Sequence, residues 1–298
     1  MSRSAVLILG YSRPDFLRER LDELAAIKQR DLDLIVSLDK YEGSDSIEVR
    51  ARMKEIESHY SKLTWLTTPA RFGLVEHITR RITESLQIYE NIVVIEDDVS
   101  SDANAISSLI SIMPNLSDSN FFTAGLFGAL PNSFASKLLT NRWRVTEYFS
   151  AWGWAINKKM WSMYDHKIVA KLGKEKIQST VAWKKLNPNQ QKRWLFRFSR
   201  VESHPNYTWD YQMQFLTWLY ELEHLLPTWR LCDNVGFDSE KATNTRSSKP
   251  TWYRGKRLET NGNRLWISDS EFLSHSLNFV DSYTWIGDRK PFDRIRRK

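Results

Sequence analysis

Three consecutive carboxylates follow a short apolar run near the end of the first third of the chain. Residues 92–95 read Ile-Val-Val-Ile, which is typical of a strand buried on both faces of a parallel sheet, and Glu96, Asp97 and Asp98 follow directly. Ligands of open α/β sheets bind beyond the carboxyl ends of the strands, and hard cations such as Mg²⁺ and Mn²⁺ prefer oxygen ligands. The pattern predicts a site for a metal ion and a diphosphate. The alternative is a helix N-terminus that carries acids because the helix dipole favours them.

The segments around this motif alternate between apolar runs and helical patterns. Four apolar runs predict strands at residues 5–9, 32–38, 63–67 and 92–95. The segments between them carry apolar residues at helical spacing, and Pro14 marks the first turn of the first helix. Such βαβ alternation predicts parallel strands whose carboxyl ends meet at one edge. We therefore predict an α/β fold with a mainly parallel, twisted sheet flanked by helices.

The second half of the chain has a less regular pattern. Its apolar spacing predicts helices at 103–113, 158–164 and 174–183, and a further helix that follows Asp210 and runs through Glu223. Strands are predicted at 121–127, 143–149 and 229–232, followed by a polar loop at 234–245. No flexible linker separates the halves, so a single domain over 1–298 is expected.

Composition limits the class of protein and its partners. The chain has 298 residues, of which 41% are hydrophobic and 27% charged, so a packed globular core is expected. The net charge of +7 fits an anionic partner such as a nucleotide, a nucleic acid or a lipid surface. Nucleic acid is disfavoured because three acids at a strand end would repel a polyanion. The 13 tryptophans could offer stacking faces for sugars, although core packing is the favoured interpretation for any single one.

The expected compartment is the cytoplasm. Cys232 is the chain's one cysteine, so no internal disulfide can form. The sequence shows no signal peptide and no apolar run of transmembrane length. The basic residues at 289–298 allow peripheral contact with the inner face of a membrane. The chain is compatible with a whole protein or with one module of a longer enzyme.

Two common nucleotide-binding motifs are missing. A dinucleotide-binding fold needs a glycine-rich turn after its first strand, and here Gly10 stands alone. No Gly-Lys-Ser/Thr phosphate loop occurs either. A nucleotide-sugar site is the remaining common use of βαβ units with an acidic strand end.

Four stretches of the chain carry a family likeness through their order and spacing. They are residues 6–14, residues 37–39, residues 96–98, and a set of motifs at 152–155, 209–210 and 234–243. Together they resemble the GT-A-fold glycosyltransferases, and most closely the N-acetylglucosaminyltransferase I-like and related bacterial surface-polysaccharide group. The likeness covers residues 5 to about 245, and its last set resembles the acceptor-side motifs of the family.

The resemblance implies a nucleotide-sugar-binding half at 1–100. There Asp98 would bind Mn²⁺ or Mg²⁺, and Glu96 and Asp97 would orient ribose or sugar hydroxyls. The side chains expected to hold the rest of the nucleotide are Ser37 and Asp39 at the base, and Arg13 and Arg71 at the phosphates. For both arginines, a surface position or a salt bridge is the alternative.

The resemblance also implies an acceptor-binding half at 101–298. Trp152, Trp154 and Trp209 would wall the acceptor sugar, and Asp210 would take the proton of the acceptor hydroxyl in an inverting transfer. The alternative role of Asp210 is that of a helix N-cap.

The expected activity is hexose transfer from a UDP-linked donor to a glycan or lipid-linked glycan acceptor. The biological setting would be O-antigen or capsule synthesis. Two alternatives remain open: a sugar-phosphate nucleotidylyltransferase, for which residues 10–13 supply a poor loop, and a non-catalytic carbohydrate-binding protein.

Overall fold

Eleven strands and nine α-helices are present in the parts of the chain described by this computed structural model, which are residues 4–11, 13–27, 29–39, 45–68, 70–118, 121–128, 142–237 and 266–267. The strands are β1 Ser4–Gly10, β2 Gln29–Leu38, β3 Tyr60–Thr67, β4 Asn91–Glu96, β5 Val99–Ser101, β6 Phe121–Gly125, β7 Arg142–Thr146, β8 Trp154–Asn157, β9 Glu223–Pro227, β10 Cys232–Asn234 and β11 Trp266–Ile267. The helices are α1 Pro14–Ala25, α2 Asp45–Ile56, α3 Leu74–Ile88, α4 Ala103–Asp118, α5 Lys158–Trp161, α6 Ile168–Leu172, α7 Val181–Lys184, α8 Pro188–Ser203 and α9 Asp210–Leu219.

The described strands form one large sheet and one small one. The large sheet has nine strands in the order β11-β7-β9-β6-β8-β4-β1-β2-β3. Strands β3, β2, β1 and β4 are parallel, and β8 runs antiparallel to both of its neighbours, β4 and β6. Helices pack against the sheet, so the predicted α/β class with a mainly parallel sheet is confirmed. Both halves of the chain contribute strands to this sheet.

The central strands are buried on both faces, as their unbroken apolar runs predict. Val6 and Ile8 of β1 belong to a core shared with α1, α2 and α4, whereas Leu7 and Leu9 belong to a core shared with α3 and α9. Alternate residues of one strand therefore pack against two helical layers. This double coverage fixes the strand ends, where the acidic motif lies.

Several predicted element boundaries in the second half are wrong. The predicted helix at 174–183 is a 3₁₀ turn, Lys174–Ser179, followed by the short α7. The helix predicted to run through Glu223 ends at Leu219, because the chain turns at Glu221 with φ 51° and enters β9. The strand predicted at 229–232 lies slightly later, as β10, and pairs with β5.

Helix α8 is absent from the sequence-based assignment. Asn187 caps it by accepting a hydrogen bond from the Gln190 backbone, while the Gln190 side chain bonds back to the Asn187 backbone. Pro188 occupies its first turn. This capping box with an N-terminal proline is the signal that could have revealed the helix.

His224 of β9 is buried in a neutral form. Thr217 Oγ1 donates its hydrogen to the Met213 carbonyl at 2.8 Å. The same oxygen therefore accepts the hydrogen bond from His224 Nε2 at 2.9 Å. The other ring nitrogen, Nδ1, then accepts from Thr123 Oγ1 at 2.7 Å. Burial lowers the pKa of His224 to about 3, and this hydrogen-bonding pattern suits the neutral ring.

We expect acidification to destabilise the fold through His224. The pKa of His224 is lower in the folded state than in the unfolded state. The stability that its neutral form contributes is therefore present above about pH 6.5 and is lost as the pH falls towards 3. Because the unfolded state binds this proton more tightly, the free energy of unfolding should fall by about 2 kcal/mol when the pH is lowered from about 7.5 to about 5. Urea unfolding at both pH values measures the loss, which should be smaller in a His224→Gln variant. Equal losses in the two proteins would contradict the assignment.

Candidate active site

The carboxyl ends of β1, β2 and β4 are joined at one edge of the sheet. The Asp39 backbone N donates to the Gly10 carbonyl at 3.0 Å, and the Asp97 N donates to the Leu9 carbonyl at 2.9 Å. A side chain at Gly10 would put Cβ 2.9 Å from Leu38 Cδ2 and 3.5 Å from Asp97 Oδ2. Glycine therefore allows the turn after β1 to approach the acidic motif closely.

Arg13 holds two of the three motif acids. Its Nη1 donates to Asp98 Oδ2 at 3.0 Å, its Nε donates to Asp97 Oδ2 at 3.3 Å, and its Nη2 donates to Asp97 Oδ1. The Tyr11 backbone N adds a longer bond to Asp97 Oδ2 at 3.4 Å. Burial raises the pKa of Asp97, and Arg13 opposes that rise. Of the two roles considered for Arg13, the structure shows the salt bridge.

Glu96 lies close to other carboxylates, and no described arginine forms an ion pair with it. No described residue donates a hydrogen bond to its half-buried carboxylate. Burial raises its pKa well above the ordinary value, and the charges of Asp98, Asp97 and Asp210 add to the rise. Trp209, the residue before Asp210, stacks on Trp154 of β8, which pairs with Val94 of β4, so the start of α9 lies near the end of the strand that carries Glu96. Such crowding is the state that a bound cation relieves.

Asp210 is the first residue of α9. Trp209 occupies the N-cap position, so the N-cap alternative for Asp210 is not what the structure shows. Thr208 Oγ1 donates to Asp210 Oδ1. Burial raises the pKa of Asp210, and the Thr208 bond opposes the rise. A carboxylate with a raised pKa is a stronger proton acceptor than a solvated one.

Arg197 is a neighbour of Asp210 that the sequence did not reveal. Its guanidinium lies 4.6 Å from the Trp194 ring centroid and 5.5 Å from that of Tyr211. Burial lowers its pKa, whereas Tyr211 and Asp210 raise it. Arg197 belongs to the unpredicted helix α8. The capping box could have revealed that helix, but no local signal shows that Arg197 lies near Asp210.

Ser37 and Asp39 support the site from inside and do not line it. Ser37 is fully buried, and its Oγ bonds to His77 Nε2 and Arg81 Nε, each at 2.9 Å. Asp39 accepts from the backbone N of Phe72 at 2.7 Å and of Gly73 at 2.8 Å. Both side chains are thus occupied in holding α3 and the loop before it. This corrects the expectation that they contact the nucleotide base.

Arg71 stays at the exposed rim of the site. Its guanidinium lies 4.4 Å from the Tyr11 ring centroid, and its side chain remains accessible. Tyr11 follows Gly10 and contributes its backbone N to Asp97. Arg71 and Tyr11 are therefore placed where they could contact a bound nucleotide.

Trp154 and Trp209 are core residues. Trp154 has no exposed surface and Trp209 only 3%. Their rings stack on each other, with centroids 5.3 Å apart and an interplanar angle of 21°. The expectation that they wall an acceptor is corrected, because both rings are enclosed between the sheet and α9. Trp152 is partly exposed, and its ring packs edge-on against that of Phe127, with the two ring centroids 4.7 Å apart.

The segment after β10 lies beside the acidic turn. Strand β10 pairs with β5, and the Val235 backbone N donates to the Asp98 carbonyl at 2.8 Å. Residues 234–236, an expected acceptor-side motif, therefore reach the motif acids. The rest of that motif, 238–243, and the basic residues at 289–298 lie outside the described residues.

The oxygen donors fit a divalent cation that arrives with a diphosphate. Among the described residues, no group of three His, Cys, Asp or Glu side chains could hold a metal ion alone. Mg²⁺ sites commonly use one or two carboxylates together with substrate phosphates. The Asp98 side chain is 12% exposed, and Arg13 engages its Oδ2. Asp98 can thus act as a single protein ligand.

Two cavities lie away from these acids. One of about 600 Å³ is lined by residues of α5 and by 220–223, and one of about 260 Å³ by residues of α7 and by 221–223. Both adjoin the start of β9, which is the opposite end from the carboxyl edge of the sheet. They supply no chemistry to the acidic site.

Comparison with known proteins gives partial structural similarity. No protein-family profile matches the sequence, and no curated protein matches it. A mannosyltransferase from Pyrobaculum calidifontis, in complex with GDP-Man and Mn²⁺, aligns at a TM-score of 0.41 and 16% identity over 58% of this chain and 47% of its own. GalNAc-T7, with UDP, GalNAc and Mn²⁺, aligns at 0.45 and 9% over 76% of this chain and 43% of its own.

A third similar structure covers most of both chains. It is a putative nucleotide-diphospho-sugar transferase from Desulfovibrio desulfuricans G20, aligned at a TM-score of 0.40 and 10% identity over 85% of this chain and 93% of its own. The aligned region spans about half the length of the mannosyltransferase and of the Staphylococcus aureus TarS fragment, at 47% of each. At these identities and TM-scores the similarities assign no chemistry to this chain. No described helix is both long and apolar enough to span a membrane.

Proposed function

We propose that this protein is a GT-A-type glycosyltransferase that moves a hexose from a UDP-linked donor to a glycan or lipid-linked glycan acceptor. Bacterial surface polysaccharide synthesis, of O-antigen or capsule, is the proposed setting. One observation carries the proposal: Trp209, the residue before Asp210, stacks on Trp154 of β8, and Trp154 pairs with Val94 of β4, two residues before Glu96. A candidate base and a candidate diphosphate site thus share one edge of a parallel sheet.

The donor would bind over the carboxyl ends of β1 and β4. Asp98 would hold Mn²⁺ or Mg²⁺, and the cation would neutralise the charge that develops on the leaving diphosphate. Arg13 would offset the negative charge of Asp97 and Asp98 through its hydrogen bonds to both. Glu96 would accept hydrogen bonds from sugar or ribose hydroxyls. Arg71 and Tyr11 would contact the nucleotide from the rim.

Asp210 would act on the acceptor. An inverting transfer needs a carboxylate on the face of the sugar opposite the leaving group, to take the acceptor hydroxyl proton. Thr208 orients the Asp210 carboxylate, and burial raises its pKa, which makes the carboxylate a stronger proton acceptor. Trp152, which keeps partial exposure, is the remaining candidate for contact with the acceptor sugar.

A thermal-shift screen tests the donor class. The protein is melted with UDP, GDP, ADP and uridine, each with and without Mn²⁺. Ligand at about 100 times its Kd adds about 2.7 kcal/mol of stability, so UDP with Mn²⁺ should raise the Tm by several degrees. Uridine, which lacks the diphosphate, should raise it far less. A protein whose Tm responds to none of the diphosphates does not have the proposed function.

A further inference from the structure

The positive charge of the chain is concentrated in one helical segment. Residues 167–203 contain ten Lys or Arg and two acidic residues. Their net charge of +8 exceeds the +7 of the entire chain, so the remainder is close to neutral. Glu175 and Glu202, the two acids, both pair with Lys174. Lys171 and Lys185 pair with acids outside the segment, Asp165 and Glu147.

Helix α8 turns part of this charge towards solvent. Trp194, Phe198 and Val201 form its buried side, within a core shared with α9. Its solvent side, which we call the α8 outer face, consists of Lys192, Arg193, Phe196 and Arg200, all exposed, with Tyr207 from the 3₁₀ turn that follows. Lys192, Phe196 and Arg200 are spaced four residues apart, which aligns them along one stripe.

The α8 outer face combines cations with exposed aromatic rings. Phe196 is 61% exposed and Tyr207 is 47% exposed. The Arg200 guanidinium lies 5.2 Å from the Phe196 ring centroid and 4.5 Å from that of Tyr207, and it donates to the Tyr207 hydroxyl at 2.6 Å. Helices that lie in a membrane interface carry Lys and Arg beside large apolar residues in this way.

We propose that the α8 outer face docks on an anionic lipid surface. Lys192, Arg193 and Arg200 would lie at the lipid phosphates, and Phe196 would enter the boundary between headgroups and acyl chains. Single-stranded nucleic acid is the competing polyanion, and it binds by stacking bases on open aromatic faces. Here Arg200 lies over one face of the Phe196 ring and one face of the Tyr207 ring, so these faces are not open to stacking bases. This favours a lipid surface over a nucleic acid. The proposal does not depend on the catalytic role of Asp210.

Vesicle co-sedimentation of the full chain tests the docking surface. Vesicles of phosphatidylcholine with about one third phosphatidylglycerol should bind the protein, pure phosphatidylcholine vesicles should not, and added salt should weaken the binding. In a Lys192→Gln/Arg193→Gln/Arg200→Gln variant the partition coefficient should fall on the order of 100-fold. A charge-matched control, Arg18→Gln/Arg50→Gln/Lys54→Gln on α1 and α2, should bind almost as the wild type does.

Phe196→Ser separates lipid docking from simple charge attraction. The residue is exposed, so the variant should fold normally, and its vesicle binding should fall several-fold at unchanged net charge. Equal vesicle binding by the α8 triple variant and its control would overturn the proposal. So would vesicle binding that is unchanged in Phe196→Ser while binding to a single-stranded RNA oligonucleotide is lost. The residues at 289–298 are present in every variant, so they cannot produce a difference between them.

Discussion

Asp210→Asn should fold normally, bind the donor nucleotide and lose roughly 10²- to 10⁴-fold in turnover, the usual contribution of a general base. The amide has nearly the shape of the carboxylate, and its oxygen can still accept the hydrogen bond from Thr208. It cannot take a proton from an acceptor hydroxyl. Initial rates of UDP release from UDP-linked hexoses, followed in both proteins with Mn²⁺ present, measure the loss.

Asp165→Asn provides the control for this experiment. Asp165 also loses one negative charge in that variant, but its carboxylate forms an ion pair with Lys171. Its turnover should match that of the wild type. If Asp210→Asn is as active as this control, Asp210 is not the base. Asp210→Ala, melted in parallel, reports any structural role of the side chain at the start of α9.

Other acids in the second half of the chain fit this role less well. Glu202 accepts hydrogen bonds from the Lys174 backbone N at 3.0 Å and from Lys174 Nζ at 2.8 Å, so it is occupied. Asp233 pairs with Arg230 at 3.1 Å. Asp238 lies outside the described residues. Among the described candidates Asp210 is therefore the acid that the fold brings to the carboxyl edge.

The first half of the fold follows from the sequence because its signals are local. Residues 5–9 and 92–95 are apolar at every position, which only a strand covered on both faces requires. Parallel pairing then brings the ends of β1, β2 and β4 to one edge, whatever the details of the loops. This is why the placement of residues 96–98 beside Gly10 could be predicted.

The partners of the site residues depend on contacts between distant segments. Arg13 and Asp97 are 84 residues apart, and no spacing rule predicts that the loop after β1 folds back over the end of β4. Asp39 looked like a ligand-binding residue at a strand end, yet it caps the loop before α3. An acid or an arginine at a strand end can serve a ligand or the protein, and sequence alone does not distinguish these uses.

Aromatic residues in the second half presented the same ambiguity. Trp154 and Trp209 could line a sugar site or fill a core, and their burial depends on α9 covering β8. Helix α8 was missed because Arg193, Phe196 and Arg197 interrupt its apolar spacing. The exposed Phe196 obscures the helical spacing of the apolar residues, and together with the neighbouring arginines it forms the α8 outer face.

Asp98→Ala should abolish the contribution of divalent cations to UDP binding. Even residues that only support a metal ligand cost 10- to 100-fold in metal affinity when they are replaced, so loss of the direct ligand should weaken UDP binding in Mn²⁺ by at least about 10–100-fold. Calorimetry with UDP in Mn²⁺ and in EDTA measures this for both proteins. In the wild type EDTA should cause a comparable loss, whereas in Asp98→Ala it should cause almost none.

Asp22→Ala is the matched control, because it removes one carboxylate from α1 that pairs with Arg52 in solvent. Its UDP affinity should stay as sensitive to EDTA as that of the wild type. Removal of Asp98 also releases Arg13 Nη1, which then can approach a phosphate directly. The Asp98→Ala protein is therefore expected to retain weak, metal-independent UDP binding that falls further in an Asp98→Ala/Arg13→Gln double variant. Full-strength binding of UDP to the wild type in EDTA would remove the metal from the proposed function and leave Arg13 as the group that receives the diphosphate.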